Sequence, residues 1–234
     1  MGKIVCVDYD RLEYLLARYK SEFSSRIEYL AYKWDTLCAI RSRWNLEIDT
    51  LLPLMQIYCE ECGKLVELRH LRSIVELSER FPEGVRCFLS SLYDETIPLN
   101  RRVESFRREV ESITREHLPH SVVSLYLWLR YPERYYIYNP MYARALFREL
   151  NYEVKLYGVT ITSLMSAYTL YDNIAEILAE DSDITPVIDR MAAIGYNKAM
   201  VIRIIVTDFV QFVYPIIKEF EEWSSKHRDQ YIAR

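Results

Sequence analysis

The stretch that decides the fold is Ala199–Ile217, with the sequence AMVIRIIVTDFVQFVYPII. It is apolar on almost every side, and its length would nearly span a lipid bilayer. Arg203, Asp208 and Gln211 stand in its middle, however, and charged groups at the centre of a membrane are costly. We therefore predict the buried central helix of a soluble domain, with Pro215 kinking it or marking a break near its end.

Asp208 is the residue of this helix that most needs a partner, because burying an unpaired carboxylate is strongly unfavourable. Arg203 stands five positions earlier, which is off the three- or four-residue spacing at which side chains of one helix meet. The sequence therefore predicts that Asp208 pairs with a group from another helix.

The composition favours helices along the whole chain. Gly is rare, at 5 of 234 residues, and Pro is limited to 8, so few turns are available to a strand-rich fold. Half of the residues are hydrophobic, which excludes disorder as the main state. Three apolar stripes have helical spacing. They are Phe23, Ile27, Leu30, Trp34 and Leu37; Val103, Phe106, Val110 and Ile113; and Leu164, Tyr168, Tyr171, Ala175 and Leu178. Since each stripe must be buried, we predict an all-α, antiparallel, bundle-like assembly of helices.

We interpret residues 1–234 as one helical domain, with residues 1–80 as a candidate N-terminal subdomain. Pro98 is predicted to be the first residue of a helix, and Ser121 to cap a helix that begins at Val122. Residues 151–162, NYEVKLYGVTIT, alternate well enough for a short β-hairpin about Gly158, and a loop is the alternative.

The cysteines and the N-terminus favour a cytoplasmic protein. The five Cys form an odd set, and the opening MGKIVCVDYD lacks the apolar run of a signal peptide. With three Gln and six Asn against 27% charged residues, the composition is typical of proteins from hot environments. A disulfide between Cys59 and Cys62 therefore stays open as an alternative to free thiols. No membrane partner is expected.

We expect no enzymatic activity and no cofactor, because no catalytic constellation stands out. Residues 59–62, CEEC, have the spacing of half a zinc site, but a closed site needs four ligands, so structural cysteines are favoured. His120 precedes Ser121, yet adjacent side chains at a helix start rarely face each other. The P-loop and Rossmann nucleotide motifs do not occur. A metal- or thiol-dependent enzyme built on Cys59, Cys62 and the histidines is the weakest alternative.

The middle of the chain is its basic part. The net charge is −4, yet residues 98–150 carry 9 Lys or Arg against 6 Asp or Glu. This region contains Tyr126–Tyr138, YLWLRYPERYYIY, where Arg could hold phosphates and rings could stack on bases. Core packing of the rings and ordinary solvated arginines are the alternatives. The candidates for nucleic-acid contact are Arg101, Arg102, Arg130, Arg134, Tyr135, Tyr136, Tyr138, Arg144 and Arg148.

Three segments resemble the helical N-terminal region of many McrB-type proteins, the modification-dependent restriction systems whose motor is an AAA+ GTPase. They are Phe88–Phe106 (FLSSLYDETIPLNRRVESF), Leu127–Asn139 (LWLRYPERYYIYN) and Val206–Tyr214 (VTDFVQFVY). The resemblance covers residues 80–215. The family pattern often has Lys after the last Tyr of the middle segment, where this chain has Asn139.

The resemblance implies a specificity domain that binds double-stranded DNA, including base-modified DNA. The implied partners are an AAA+ motor domain or subunit and an associated nuclease. Arg130, Arg134, Tyr135, Tyr136 and Tyr138 would be the first contacts, with rings stacked on an extruded base and arginines on phosphates. The alternative is a helical protein-interaction or spacer domain that positions a recognition module or a partner subunit. The acidic flanks and the narrow apolar stripes fit that alternative equally well.

Overall fold

The computed structural model describes residues 7–44, 46–47, 52–57, 68–152 and 160–232, with the backbone alone at 27–41, 68–70 and 220–232. Across these residues the regular structure is helical and contains no strand, which confirms the predicted all-α fold.

The helices are numbered in chain order. The first, α1, is Tyr9–Arg43, and the described part of α2 is residues 52–57. The others are α3 (Leu68–Arg80), α4 (Pro82–Tyr93), α5 (Leu99–Thr114), α6 (His120–Arg130), α7 (Pro140–Glu149), α8 (Ile161–Ala179), α9 (Thr185–Ala193) and α10 (Lys198–Ile232). The longest are α1 and α10, at 35 residues each, which corresponds to about 52 Å of helix.

Helix α10 organises one side of the core, where it packs against α1, α7, α8 and α9. Val201, Ile205, Phe209 and Val213 recur every four residues and are fully buried, as predicted for a central helix. Within the described part of the chain, Lys198–Glu219 is one stretch that is long and apolar enough to cross a membrane by length and composition. Since 72% of it is buried inside the protein, a core helix accounts for the same pattern.

Pro215 does not end α10, so of the two predicted effects, a kink or a break, the break is wrong. The helix continues through it to Ile232, and the ring is exposed to solvent. Because proline has no N–H, it removes one hydrogen bond of the helix, at a point where the helix is leaving the core.

Helix α5 organises the other side of the core, with α3, α4, α6 and α8 around it. Val103 and Phe106 are fully buried, whereas Ile113, the last residue of the predicted stripe, is 44% exposed because the helix ends one residue later. The stripe on α8 is buried at all of its predicted positions. Of the stripe on α1, the side chain of Phe23 is described, and it is buried.

Two predicted helix starts shift slightly. Pro98 is the N-cap of α5 and not its first residue, and α6 begins at His120, so Ser121 lies in its first turn and caps nothing. The β-hairpin suggested for residues 151–162 falls mainly on 153–159, outside the described residues. Its last two residues belong to the first turn of α8, which corrects that end of the prediction.

Only part of the cysteines lies among the described residues. Cys59 and Cys62 lie outside the described residues, whereas Cys87 on α4 is an exposed free thiol. Among the described residues, no group of three or more His, Cys, Asp or Glu side chains is placed to hold a metal ion.

Candidate nucleic-acid interface

The aromatic segment continues beyond α6 as a link to α7, residues 131–139. Helix α6 ends before Tyr131, because the residue that precedes a proline is biased away from helical conformation. The carbonyl of Tyr131 then accepts hydrogen bonds from the N–H groups of Arg134 and Tyr135, at 2.9 and 3.1 Å, which closes a turn around Pro132. The chain is irregular from there to Asn139.

The tyrosines of this link point into the core. Tyr136 and Tyr138 are 0% and 1% exposed, and Tyr135 is 8% exposed. None of these three rings offers an exposed face for base stacking, so the core-packing alternative describes their position. The backbone of the link is fixed as well, because the Tyr138 N–H donates to the hydroxyl of buried Ser124 on α6, at 3.0 Å. Burial raises the pKa of Tyr138 to about 12.

Arg102 is also inside and is not available for contact. Its side chain is buried, and its guanidinium donates to the carbonyl of Leu92 and to the hydroxyl of Tyr135, both at 2.7 Å. The Tyr135 hydroxyl is also 3.4 Å from a Glu95 carboxylate oxygen. Burial raises the pKa of Tyr135, and the nearby Arg102 opposes that rise. Arg102 therefore fixes the link against the end of α4.

Arg130 and Arg134 are both exposed, and both lie beside the Tyr131 ring. Their guanidinium carbons lie 5.5 and 5.8 Å from the centre of the Tyr131 ring. The Tyr131 hydroxyl donates to the carbonyl of Tyr93 at 3.0 Å, and the two rings pack edge to face. We call Arg130, Tyr131 and Arg134 the arginine clamp. Its ring is anchored, while both arginines face solvent.

Glu95 and Glu133 are acidic neighbours of the arginine clamp. Glu95 forms an ion pair with Arg134, and the hydrogen bond that Arg134 donates to Glu95 raises the pKa of that arginine. The Arg134 side chain nevertheless remains 57% exposed, so the pair is a surface pair. Surface pairs contribute little free energy and are screened by salt, so a stronger anion can compete with Glu95 for Arg134.

The other candidate arginines lie elsewhere. Arg144 and Arg148 share the exposed face of α7, at the far end of the link, and Arg101 is exposed on the first turn of α5. Asn139, where the family pattern has Lys, is the N-cap of α7. Its side-chain oxygen accepts hydrogen bonds from Met141 and Tyr142 N–H groups, at 2.9 and 3.4 Å.

The sequence identified Asp208 but not its partners. Arg26 on α1 binds both carboxylate oxygens, at 2.8 and 2.6 Å, and the Tyr19 hydroxyl donates to the carboxylate at 3.1 Å. Burial, followed by the charge of Asp208, raises the pKa of Tyr19. Arg203 pairs with Asp172 on α8 instead, at 3.6 Å. The prediction of a partner from another helix is therefore confirmed, although the spacing within α10 gave no clue to Arg26.

The two histidines near Pro119 belong to an ionic network around Arg107. The Arg107 guanidinium contacts Glu104 and Glu111, at 3.1 Å each, and donates to the Leu118 carbonyl at 2.7 Å. Buried His120 lies 2.9 Å from Glu104, and exposed His117 lies 3.1 Å from Glu111. This network ties the connection between α5 and α6 together, with the Nε2 atom of His120 engaged by Glu104.

The chain matches no protein-family model, no curated protein and no solved structure. The likeness to McrB-type proteins therefore depends on the three sequence segments alone.

Proposed function

We propose that this chain is a non-catalytic DNA-recognition domain of a McrB-like restriction system, and that it holds duplex DNA through the arginine clamp. The observation that carries the proposal is the position of two exposed guanidinium groups beside one anchored ring, in the segment where the family resemblance is most specific.

The chemistry of the arginine clamp suits phosphates. Each guanidinium offers a planar fork of donors that matches phosphate oxygens, and the pair can bind adjacent phosphates of one strand. The Tyr131 ring restricts both side chains before DNA arrives, which reduces the conformational entropy lost on binding. The arginine clamp is a small positive site. A protein of net charge −4 has no overall positive charge, so its phosphate contacts must come from such local sites.

Tyr135, Tyr136 and Tyr138 have a supporting role in this proposal. Their buried rings, together with Arg102, hold the link in place, so that Arg130 and Arg134 keep their positions. Arg144 and Arg148 on α7, and Arg101 on α5, are proposed as secondary phosphate contacts. DNA translocation and cleavage would come from an AAA+ motor and a nuclease, and methylated DNA is the base-modified ligand to test.

The test is a salt titration of binding to methylated and unmethylated duplexes of one sequence. We compare the wild type with an Arg130→Ala, Arg134→Ala variant and with an Arg72→Ala, Arg80→Ala variant. The control removes the same charge from two exposed arginines of α3. We expect the clamp variant to bind more weakly and to lower the salt slope by about 1.8, at ~0.9 per phosphate contact. The control should behave like the wild type.

Equal losses in both variants would mean that binding reflects overall charge, and would contradict the clamp. No binding by the folded wild type at low salt would contradict DNA recognition itself. The spacer alternative would then be favoured by α1 and α10, two 35-residue helices joined through the pair of Arg26 and Asp208.

A further inference from the structure

Five tyrosine rings form a continuous chain from the surface into the core, and Tyr93 branches from it at Tyr131, with ring centres 6.0 Å apart. The chain starts at half-buried Tyr131. The distance between ring centres is 6.2 Å for Tyr131 and Tyr135, and 6.1 Å for Tyr135 and Tyr168. It is then 5.7 Å for Tyr168 and Tyr136, and 5.4 Å for Tyr136 and Tyr171. Rings at such separations are in contact. Electron tunnelling between them is fast, because its rate falls exponentially with the gap.

The other large aromatic cluster has a different composition. There the Tyr19 ring contacts Phe23, Phe209 and Phe212, with ring centres 5.4 to 5.5 Å apart. A phenol gives up an electron far more readily than a phenyl ring does. Tyr19 is therefore isolated by rings that cannot pass an electron on, whereas every member of the tyrosine chain can.

Tyr136 is the member of the tyrosine chain with the shorter hydrogen bond to a carboxylate. Its hydroxyl donates to the Asp172 carboxylate at 2.8 Å. Tyr131 and Tyr168 donate to backbone carbonyls at 3.0 Å, which are weak bases. The Tyr135 hydroxyl has a longer contact, 3.4 Å, to Glu95, a carboxylate that is already paired with Arg134. An oxidised phenol is a strong acid, so the oxidised state settles where the proton can leave.

Burial would preserve a radical at this position. Tyr136 is 0% exposed, so its ring cannot couple with a tyrosine of another molecule. The Asp172 side chain is 53% exposed, so a proton that reaches it can exchange with water. The tyrosine chain thus joins a surface member, Tyr131, to a shielded member with its own proton outlet.

We propose that the tyrosine chain transfers electrons to one-electron oxidants that reach Tyr131. The oxidant takes an electron from Tyr131, and electrons from Tyr135, Tyr168 and Tyr136 replace it in turn. The O–H bond of Tyr136 breaks, its proton moves to Asp172, and a neutral phenoxyl radical remains. A one-electron reductant of the thiol or ascorbate class then returns the electron, and the proton returns with it. This activity is independent of DNA binding.

The experiment is photochemical oxidation of the full chain, without DNA, by a ruthenium tris-bipyridine complex and persulfate. Samples are frozen after the flash, and the tyrosyl radical is measured by electron paramagnetic resonance. We expect a tyrosyl signal in the wild type and a several-fold smaller signal in the Tyr136→Phe and Asp172→Asn variants. An unchanged signal in Tyr136→Phe, with the variant folded by circular dichroism, would overturn the proposal.

Two further variants test the path. Tyr135→Phe interrupts the tyrosine chain next to Tyr131 and should also reduce the signal several-fold. Tyr19→Phe removes a buried phenol that is hydrogen-bonded to a carboxylate but lies outside the chain, and should leave the signal unchanged. A large loss in Tyr19→Phe, or none in Tyr135→Phe, would contradict transfer along these rings.

Discussion

Asp208 shows how one charged side chain is accommodated in an apolar helix. Its side chain is 1% exposed, and both of its oxygens are bound by Arg26, whose guanidinium also lies over the Phe212 ring, 5.1 Å from its centre. Both charges are needed, because removing one partner of a buried pair leaves the other uncompensated. The pair therefore fixes the position of α1 against α10 more than it adds net stability.

Arg26→Ala should lower the free energy of unfolding by about 3 kcal/mol, the lower end of the range for broken buried pairs. The lower end applies because 26% of the Arg26 side chain is exposed, so water can partly solvate the carboxylate that remains. Urea unfolding followed by circular dichroism measures the change. Adding Asp208→Asn should restore part of the loss, and a change below ~1 kcal/mol would place the pair with surface pairs.

His120 should make the protein less stable in mild acid. Burial lowers its pKa from the ordinary 6.5, and a hydrogen bond to Glu104 only partly offsets this. The unfolded state thus binds the proton more tightly, so stability is complete above pH 6.5 and falls as the pH drops through the lowered pKa. The pKa of Glu104 is also lowered, by His120 and Arg107 acting against burial, and it adds a loss in the same direction at lower pH.

The measurement is the free energy of unfolding between pH 7.5 and 5.5, for the wild type and for His120→Gln. Glutamine at position 120 does not titrate, so the stability of the variant should depend less on pH than that of the wild type. Parallel curves for the two proteins would show that other groups control the acid response.

At the scale of elements, the link from Tyr131 to Asn139 has the most specific architecture. Its turn depends on Pro132, its middle is tied to Ser124, and its end is the cap of α7. Asn139 suits its position as the cap of α7, whereas a lysine there would have no acceptor for the first N–H groups of the helix.

Asn139→Ala should lower the free energy of unfolding by about 1 kcal/mol, the usual value of a lost N-cap. Asn139→Asp keeps the acceptor and should be close to the wild type, whereas Asn139→Lys should resemble the alanine variant. Urea titrations of the three variants provide the comparison. If the lysine variant were as stable as the aspartate variant, the cap would not explain the choice of Asn.

The helical pattern could be predicted from the sequence because apolar spacing depends on the chain alone. The stripe on α8 is an example. That Asp208 pairs with a group from another helix could also be predicted, because a buried carboxylate needs a partner. The direction of the tyrosines could not be predicted, because a ring next to an arginine suits a core and a ligand surface equally. Only the packing of α4, α5 and α8 around the link decides that Tyr136 lies inside while Arg134 lies outside.

At the scale of the whole molecule, the charge distribution limits how the proposed DNA ligand could be held. A protein of net charge −4 repels a polyanion at long range, so contact depends on short-range pairs and falls steeply with salt. Glu95 affects such short-range contacts directly, because it already forms an ion pair with Arg134.

Glu95→Gln should therefore tighten the binding of duplex DNA in low salt and steepen the salt dependence by about 0.9, the slope of one additional phosphate contact. The change frees Arg134 and removes a negative charge beside the arginine clamp. Fluorescence anisotropy at several salt concentrations measures both effects. Glu83→Gln, which leaves an exposed Arg86 unpaired on α4, is the matched control and should have little effect. Weaker binding by the Glu95 variant would contradict the proposed role of Arg134.

The placement of the exposed Arg130 and Arg134 beside the buried rings of the link has a consequence for how the sequence of this region can vary. In a saturation library selected only for folded protein, positions 135, 136 and 138 should accept little besides large aromatic residues. Positions 130 and 134, one to eight residues away, should accept almost any polar residue. Variation in ligand preference among variants of this chain would then concentrate at two positions, held between neighbours that cannot change with them.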